Sequence, residues 1–169
     1  MLAAAIVLCL CSAAFAQKGN AYLKAKVNPG RAGVFVDGKY LGPAADFKIA
    51  RKYALAPGQH EVKFVDPRYE EATTSVNLQA GKTTVVSQVL KPVAPAKPPF
   101  GRIRTENADK YAAVYVNDRF YGHAGEFNNP LQGILLPPGD YTVRIEPLAG
   151  GNVVKTTVKV EADKTVMVK

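Results

Sequence analysis

Val34-Phe35-Val36-Asp37-Gly38-Lys39-Tyr40-Leu41-Gly42 constrains this chain more than any other stretch, because alternating apolar residues run into Asp-Gly. That dipeptide best accepts the positive φ angles of a type I′ turn, so the segment predicts a tight β-hairpin. Eighty positions on, the chain writes it again as Val114-Tyr115-Val116-Asn117-Asp118-Arg119-Phe120-Tyr121-Gly122. Asn and Asp enter the left-handed region most cheaply after glycine, so the same turn survives without its glycine. The correspondence extends outward from the hairpin. Leu23 answers Ile103 and Phe47 answers Phe127; after one extra residue, Leu55, Pro57, Gly58, His60, Val62 and Phe64 answer Leu136, Pro138, Gly139, Tyr141, Val143 and Ile145. Matching strand faces and turns, in the same order and with one inserted residue, imply two similar modules.

Each module reads as strands. Leu23, Ala25 and Val27 alternate with Lys24 and Lys26, and Val62 and Phe64 alternate with Glu61 and Lys63, as half-buried strands do. No segment holds a 3.6-residue apolar period long enough for a helix. The fold expected is all-β, two small antiparallel β-sandwiches at residues 17–91 and 100–169. Residues 92–99, within Lys91-Pro92-Val93-Ala94-Pro95-Ala96-Lys97-Pro98-Pro99, form a Pro-rich linker. Its polyproline bias predicts a semi-rigid spacer of about 28 Å that holds the modules apart.

Residues 1–16 lie outside this pattern. Leu2 to Cys11 is an apolar run, and Ser12-Ala13-Ala14-Phe15-Ala16 places small residues at a signal-peptidase site, with cleavage before Gln17. The run is shorter than the roughly 20 apolar residues that span a bilayer. A signal peptide, no membrane span in the mature chain, and a periplasmic or secreted destination are therefore expected. Both cysteines fall in this segment, so the mature chain has no disulfide and no cysteine metal site.

The formal net charge is +8, unevenly shared: Gln17–Lys91 holds 12 basic residues against 6 acidic, Phe100–Lys169 only 9 against 8. Outside the cytoplasm a basic module suits an anionic envelope polymer, a glycan or an envelope protein, whereas nucleic acid is a poor partner for an exported chain.

The chain carries little catalytic chemistry. His60 aligns with Tyr141 on a core-facing strand position and His123 aligns with Pro43, so neither points to a shared base or ligand. No serine has a nucleophile-elbow context and no Asp/His/Cys spacing fits a metal; no catalytic residue, metal or cofactor is expected. One shared pattern stands out, Gly-x-Ala-x-acid-Phe at Gly42–Phe47 and Gly122–Phe127. Its acid, Asp46 or Glu126, either accepts backbone N–H bonds within the loop or faces a ligand. The aromatics around Tyr40 and Phe120 either pack across strands or stack on a sugar or a partner. With Lys39, Arg68, Tyr69, Arg119 and the basic loop Lys48, Arg51 and Lys52, these residues make up the candidate binding surface.

Pro29-Gly30-Arg31-Ala32-Gly33-Val34-Phe35-Val36-Asp37-Gly38-Lys39, Gly42 and Leu55-Ala56-Pro57-Gly58-Gln59-His60-Glu61-Val62 resemble the PEGA domain, a small all-β repeat of envelope proteins. The second module carries the resemblance through Ala112 to Arg119, Gly122 and Leu136-Pro137-Pro138-Gly139-Asp140-Tyr141. The name-giving Pro-Glu-Gly-Ala is replaced by Pro29-Gly30-Arg31-Ala32 and by Asp109-Lys110-Tyr111-Ala112. The resemblance implies a non-catalytic surface or periplasmic module. The function expected is an exported, envelope-associated binding or scaffold protein with two tandem PEGA-like modules acting bivalently. The alternatives are a protein partner paired through an exposed strand edge and, last, a hydrolase.

Overall fold

In the computed structural model, residues 19–47, 53–95, 97–106 and 109–169 are described. The first half runs β1 (Ala21–Asn28), β2 (Gly33–Val36), β3 (Lys39–Pro43), a 3₁₀ turn (Ala44–Phe47), β4 (Tyr53–Leu55), β5 (Gly58–Val65), β6 (Ala72–Leu78) and β7 (Thr83–Val89). The second half keeps the order: β8 (Gly101–Thr105), β9 (Ala113–Val116), β10 (Arg119–His123), one α-helical turn (Ala124–Phe127), β11 (Ile134–Leu136), β12 (Gly139–Glu146), β13 (Val154–Val160) and β14 (Thr165–Val168). The protein is all-β, as its alternation predicts.

Each half stacks a four-stranded sheet, β3-β2-β5-β6 or β10-β9-β12-β13, on a three-stranded one, β4-β1-β7 or β11-β8-β14. The expectation of purely antiparallel sheets is corrected at one pairing in each half. β1 runs parallel to β7, and β8 parallel to β14, so each half closes by bringing its first strand beside its last. Leu23, Val34, Val62 and Phe64 fill one core, and Ile103, Val114, Val143 and Ile145 fill the other at equivalent positions. Each such side chain contributes about 1.5–3 kcal/mol when fully buried.

Both hairpins turn as expected. Asp37 and Gly38 have φ of 50° and 78°, Asn117 and Asp118 of 48° and 60°, the type I′ signature. In each half the alanine of the Gly-x-Ala-x-acid-Phe stretch docks its N–H on an earlier carbonyl, Ala44 on Ala32 at 2.8 Å and Ala124 on Ala112 at 2.9 Å. Phe47 and Phe127 then plug the cores.

The expected separation of the modules is also corrected. Tyr40, Val65, Ala113 and Phe120 form a third buried cluster between the halves, joined by Phe35, Tyr115 and Leu148. The start of the linker is strapped down rather than free: Val93 N–H donates to Arg68 O at 2.9 Å and Glu70 N–H to Lys91 O at 2.8 Å. Residues 1–16, read from the sequence as a signal peptide, and the basic loop Lys48, Arg51 and Lys52 lie outside the described residues.

Candidate functional site

The aromatic side chains that alternation turns away from the two cores meet each other. Phe120 is central, with ring centroids 5.2 Å from Phe35, 5.1 Å from Tyr40 and 5.7 Å from Tyr115. The Phe35 contact is edge-on at 89°, which sets a positive ring edge on a negative face. A Cβ on Gly33 would come within 2.6 Å of the Phe120 ring, so β2 carries glycine there to admit that ring. Tyr40 and Phe120 are 9% and 5% exposed, so of the two readings of these rings it is packing, not an open stacking surface, that describes them here.

A polar seam borders the apolar one. Asp66, only 2% exposed, accepts from Arg31 Nε at 2.7 Å, from Arg68 Nε at 3.0 Å and Nη2 at 3.1 Å, and from the Arg68 backbone N–H at 3.0 Å. Burial pushes this carboxyl up, but the hydrogen bonds from Arg68 and Arg31 outweigh it and hold it below the usual range. Arg68 also reaches across the junction, where its Nη2 donates to Glu126 Oε1 at 3.0 Å. Arg31 Nε lies 3.8 Å from the same oxygen.

The acid of the Gly-x-Ala-x-acid-Phe stretch thus has a role that neither simple loop capping nor the sequence alone describes. Glu126 ties the second half to the first. Its other oxygen faces His123 Nδ1 at 3.9 Å, too far for a hydrogen bond. Neither atom, nor the Tyr40 hydroxyl, has a hydrogen-bond partner among the described residues. Burial lowers the His123 pKa against the pull of Glu126, Asp46 and Asp109, so the ring is neutral at pH 7 and the counter-charge for Glu126 is Arg68. Burial, then the neighbouring Tyr115 and acids, pushes the Tyr40 phenol up, keeping it protonated.

The seam opens into a cleft of about 430 Å³ lined by Arg31, Arg68, Arg102, Glu126 and Phe127, with Leu131 and Leu135 at its lip. Arg102 leaves β8 and lays its stem over Gly133, where a Cβ would come within 2.5 Å of Arg102 Cγ. Its Nη1 donates to Pro130 O at 3.3 Å, and its buried Nε has no hydrogen-bond partner among the described residues. Next to it, Arg104 Nη2 donates to Asn128 O at 2.6 Å, so two arginines of one strand pin the loop that forms the lip. Three guanidiniums against Glu126 and the already paired Asp66 leave the cleft net positive. Such a setting suits a carboxylate or phosphate.

Of the predicted residues, Arg68 and Glu126 come together in this cleft. Asp46 is half-buried on the 3₁₀ turn. Tyr69 is half-buried with the Arg31 guanidinium 5.9 Å from its ring centre, and Lys39 is exposed at the hairpin turn. Arg119 is exposed at the matching turn, from which its Nη2 donates to Pro67 O of the other half at 3.4 Å. Arg31, Asp66 and Arg102 escaped the sequence reading. Arg31 sat inside the quoted family stretch, Asp66 in an Asp-Pro-Arg turn whose carboxylate caps the N–H two residues on, and Arg102 on the outward register of β8.

No curated protein matches the sequence. Among solved structures the chain is similar to the Bacillus anthracis TIE protein, with 14% identity and a TM-score of 0.32 over 89% of this chain and 33% of that one. The chain thus spans about a third of that protein's length. A PEGA domain is found by its family model at residues 22–94, from β1 to the strapped start of the Pro-rich stretch.

Proposed function

We propose that the chain is an exported, non-catalytic binding or scaffold protein of the bacterial envelope, built from two PEGA-like halves, that captures an anionic group in the cleft at their junction. The observation that carries this is the convergence of Arg31, Arg68 and Arg102 on one opening, with Arg102 lacking a carboxylate partner among the described residues. The domain match at residues 22–94 supports a module without a reaction of its own, and the equivalent strand order of residues 101–168 supports a second module of the same kind. The positive first half adds a field that draws polyanions toward the cleft. Because the halves share one seam, the two-site avidity expected from the sequence gives way to one composite site.

Among the described residues, no helix is long and apolar enough to cross a membrane. Export predicts that protein recovered from the periplasm or medium begins at Gln17, which N-terminal sequencing reads directly.

The cleft is tested with polygalacturonate and poly(glycerol phosphate) as carboxylate and phosphate probes. Arg102→Gln should weaken binding by about tenfold, the loss of one charge-assisted hydrogen bond. Equal loss on replacing Lys24 and Lys26, with none at Arg102, would show diffuse surface attraction and remove the cleft from the mechanism.

A further inference from the structure

The three-stranded sheet of the first half ends at β7, which among the described residues is bonded to β1 on one side only. Tyr22 N–H donates to Lys82 O, Leu90 N–H donates to Asn28 O, and the register between them is unbroken over seven residue pairs. Even-numbered residues of β7 therefore turn their amides and carbonyls to β1. Thr83, Val85, Ser87 and Val89 turn theirs outward. Side chains of these same four lie on the outer face, where Val85 and Val89 are 48% and 69% exposed.

Exposed edges are usually blunted by lysine, proline, a bulge or shortness. β7 has none of these in its seven residues. The other edges differ. β4 and β11 have three residues and β14 has four, the ladders of β3 and β10 are each broken by a bulge, β13 carries Lys155 and Lys159, and the exposed positions of β6 are the polar Thr73, Ser75 and Asn77. Beside β7, a groove of about 550 Å³ runs along Lys26, Val27, Asn28, Ser87, Gln88 and Val89. Register places Lys24 opposite Val85 and Lys26 opposite Ser87, so both ammonium groups share the face of the exposed valines. An incoming strand would lie two strand spacings from β1, about 10 Å, a distance that a lysine and an acidic side chain close by extending toward each other.

We infer that β7 is a docking edge for an extended, acidic segment of a partner protein, which adds as a fourth strand. Its backbone pairs with the outward groups of Val85, Ser87 and Val89, its apolar side chains cover the two valines, and its carboxylates meet Lys24 and Lys26. Gln88 Nε2, which donates to Val89 O at 3.1 Å, releases that carbonyl as the strand enters.

The test uses the full mature protein and an eight-residue peptide alternating Glu and Val, with a Lys/Val peptide as control. Binding of the Glu/Val peptide should slow hydrogen exchange at the Val85, Ser87 and Val89 amides and spare the Arg102 cleft. Val85→Pro removes one outward N–H without touching a bond to β1, and should weaken the peptide by about tenfold or more. Val85→Lys, which blunts the edge with no backbone change, should do the same, while Arg102→Gln leaves the affinity unchanged. Equal binding to both Val85 variants, equal binding of the Lys/Val peptide, protection confined to the cleft, or concentration-dependent pairing of β7 with a second copy of this chain would each overturn the inference. Since the peptide test depends on β7 and the polyanion test on Arg102, one can fail without the other.

Discussion

Asp37 and Asn117 do one job with different chemistry. Asp37 Oδ1 accepts the Glu61 N–H at 3.0 Å, and Asn117 Oδ1 accepts the Thr142 N–H at 2.9 Å, so each turn residue locks its hairpin to the next strand. Only the first half adds a titrating pair. His60 Nδ1 meets Asp37 Oδ2 at 2.6 Å and Nε2 meets Ala56 O at 2.9 Å, so an imidazolium satisfies both acceptors. The bond to Asp37 raises the histidine pKa above 6.5, and the bonds from His60 and the Glu61 N–H lower the carboxyl below 3.8. The histidine's contribution is complete below 6.5 and fades as pH rises through the raised value; the carboxyl's is complete above 3.8 and fades as pH falls through the lowered one. Asp37→Asn keeps the acceptor for Glu61 and removes the charge, so its melting temperature should fall further below wild type at pH 5 than at pH 8, as paired thermal scans can measure. The sequence placed His60 opposite Tyr141, and the structure gives them one bond in common, since Tyr141 Oη donates to Pro137 O at 3.0 Å. Its partnership with Asp37, 23 residues away, needed the Val36–Val62 register, which composition does not encode.

At the scale of elements, alternation and turn residues made the strands and hairpins legible, but strand direction was not. A strand beside a parallel neighbour alternates as one beside an antiparallel neighbour does, so nothing in Thr83–Val89 announces its pairing with β1. The docking of hairpin on hairpin was hidden for a similar reason. An aromatic turned away from its own core reads the same whether a ligand, solvent or a second module waits there. Gly33 is the position that distinguishes these cases once seen, since Phe120 occupies the space its side chain would take. Gly33→Ala should cost about 1–3 kcal/mol by overpacking, and Phe120→Ala about 3–5 kcal/mol. In urea unfolding the two should be strongly non-additive, Gly33→Ala becoming nearly neutral once the ring is gone.

For the whole molecule, Asp66, Arg68 and Glu126 add a polar clasp beside the buried cluster that joins the two halves. Arg68→Ala would leave Asp66 with Arg31 alone and Glu126 without its bond across the seam, costing about 1–3 kcal/mol. Because the Asp66 pKa is lowered, its stabilisation is complete above 3.8 and lost as pH falls through its folded value. Small-angle scattering should then show the halves separating, with a larger radius of gyration in the Arg68→Ala variant at neutral pH and in the wild type below that range. The parallel closure of each half also sets how the molecule answers tension. Since β1 and β7 run the same way, the chain enters a half at one end and leaves at the other, and a pull on both termini slides the two strands along each other. The first half must then give up a ladder spanning seven residue pairs nearly at once, whereas β8 and β14 share four. Stretched between an anchor and a load, the protein would yield first in its second half, while the first half held as the stronger link.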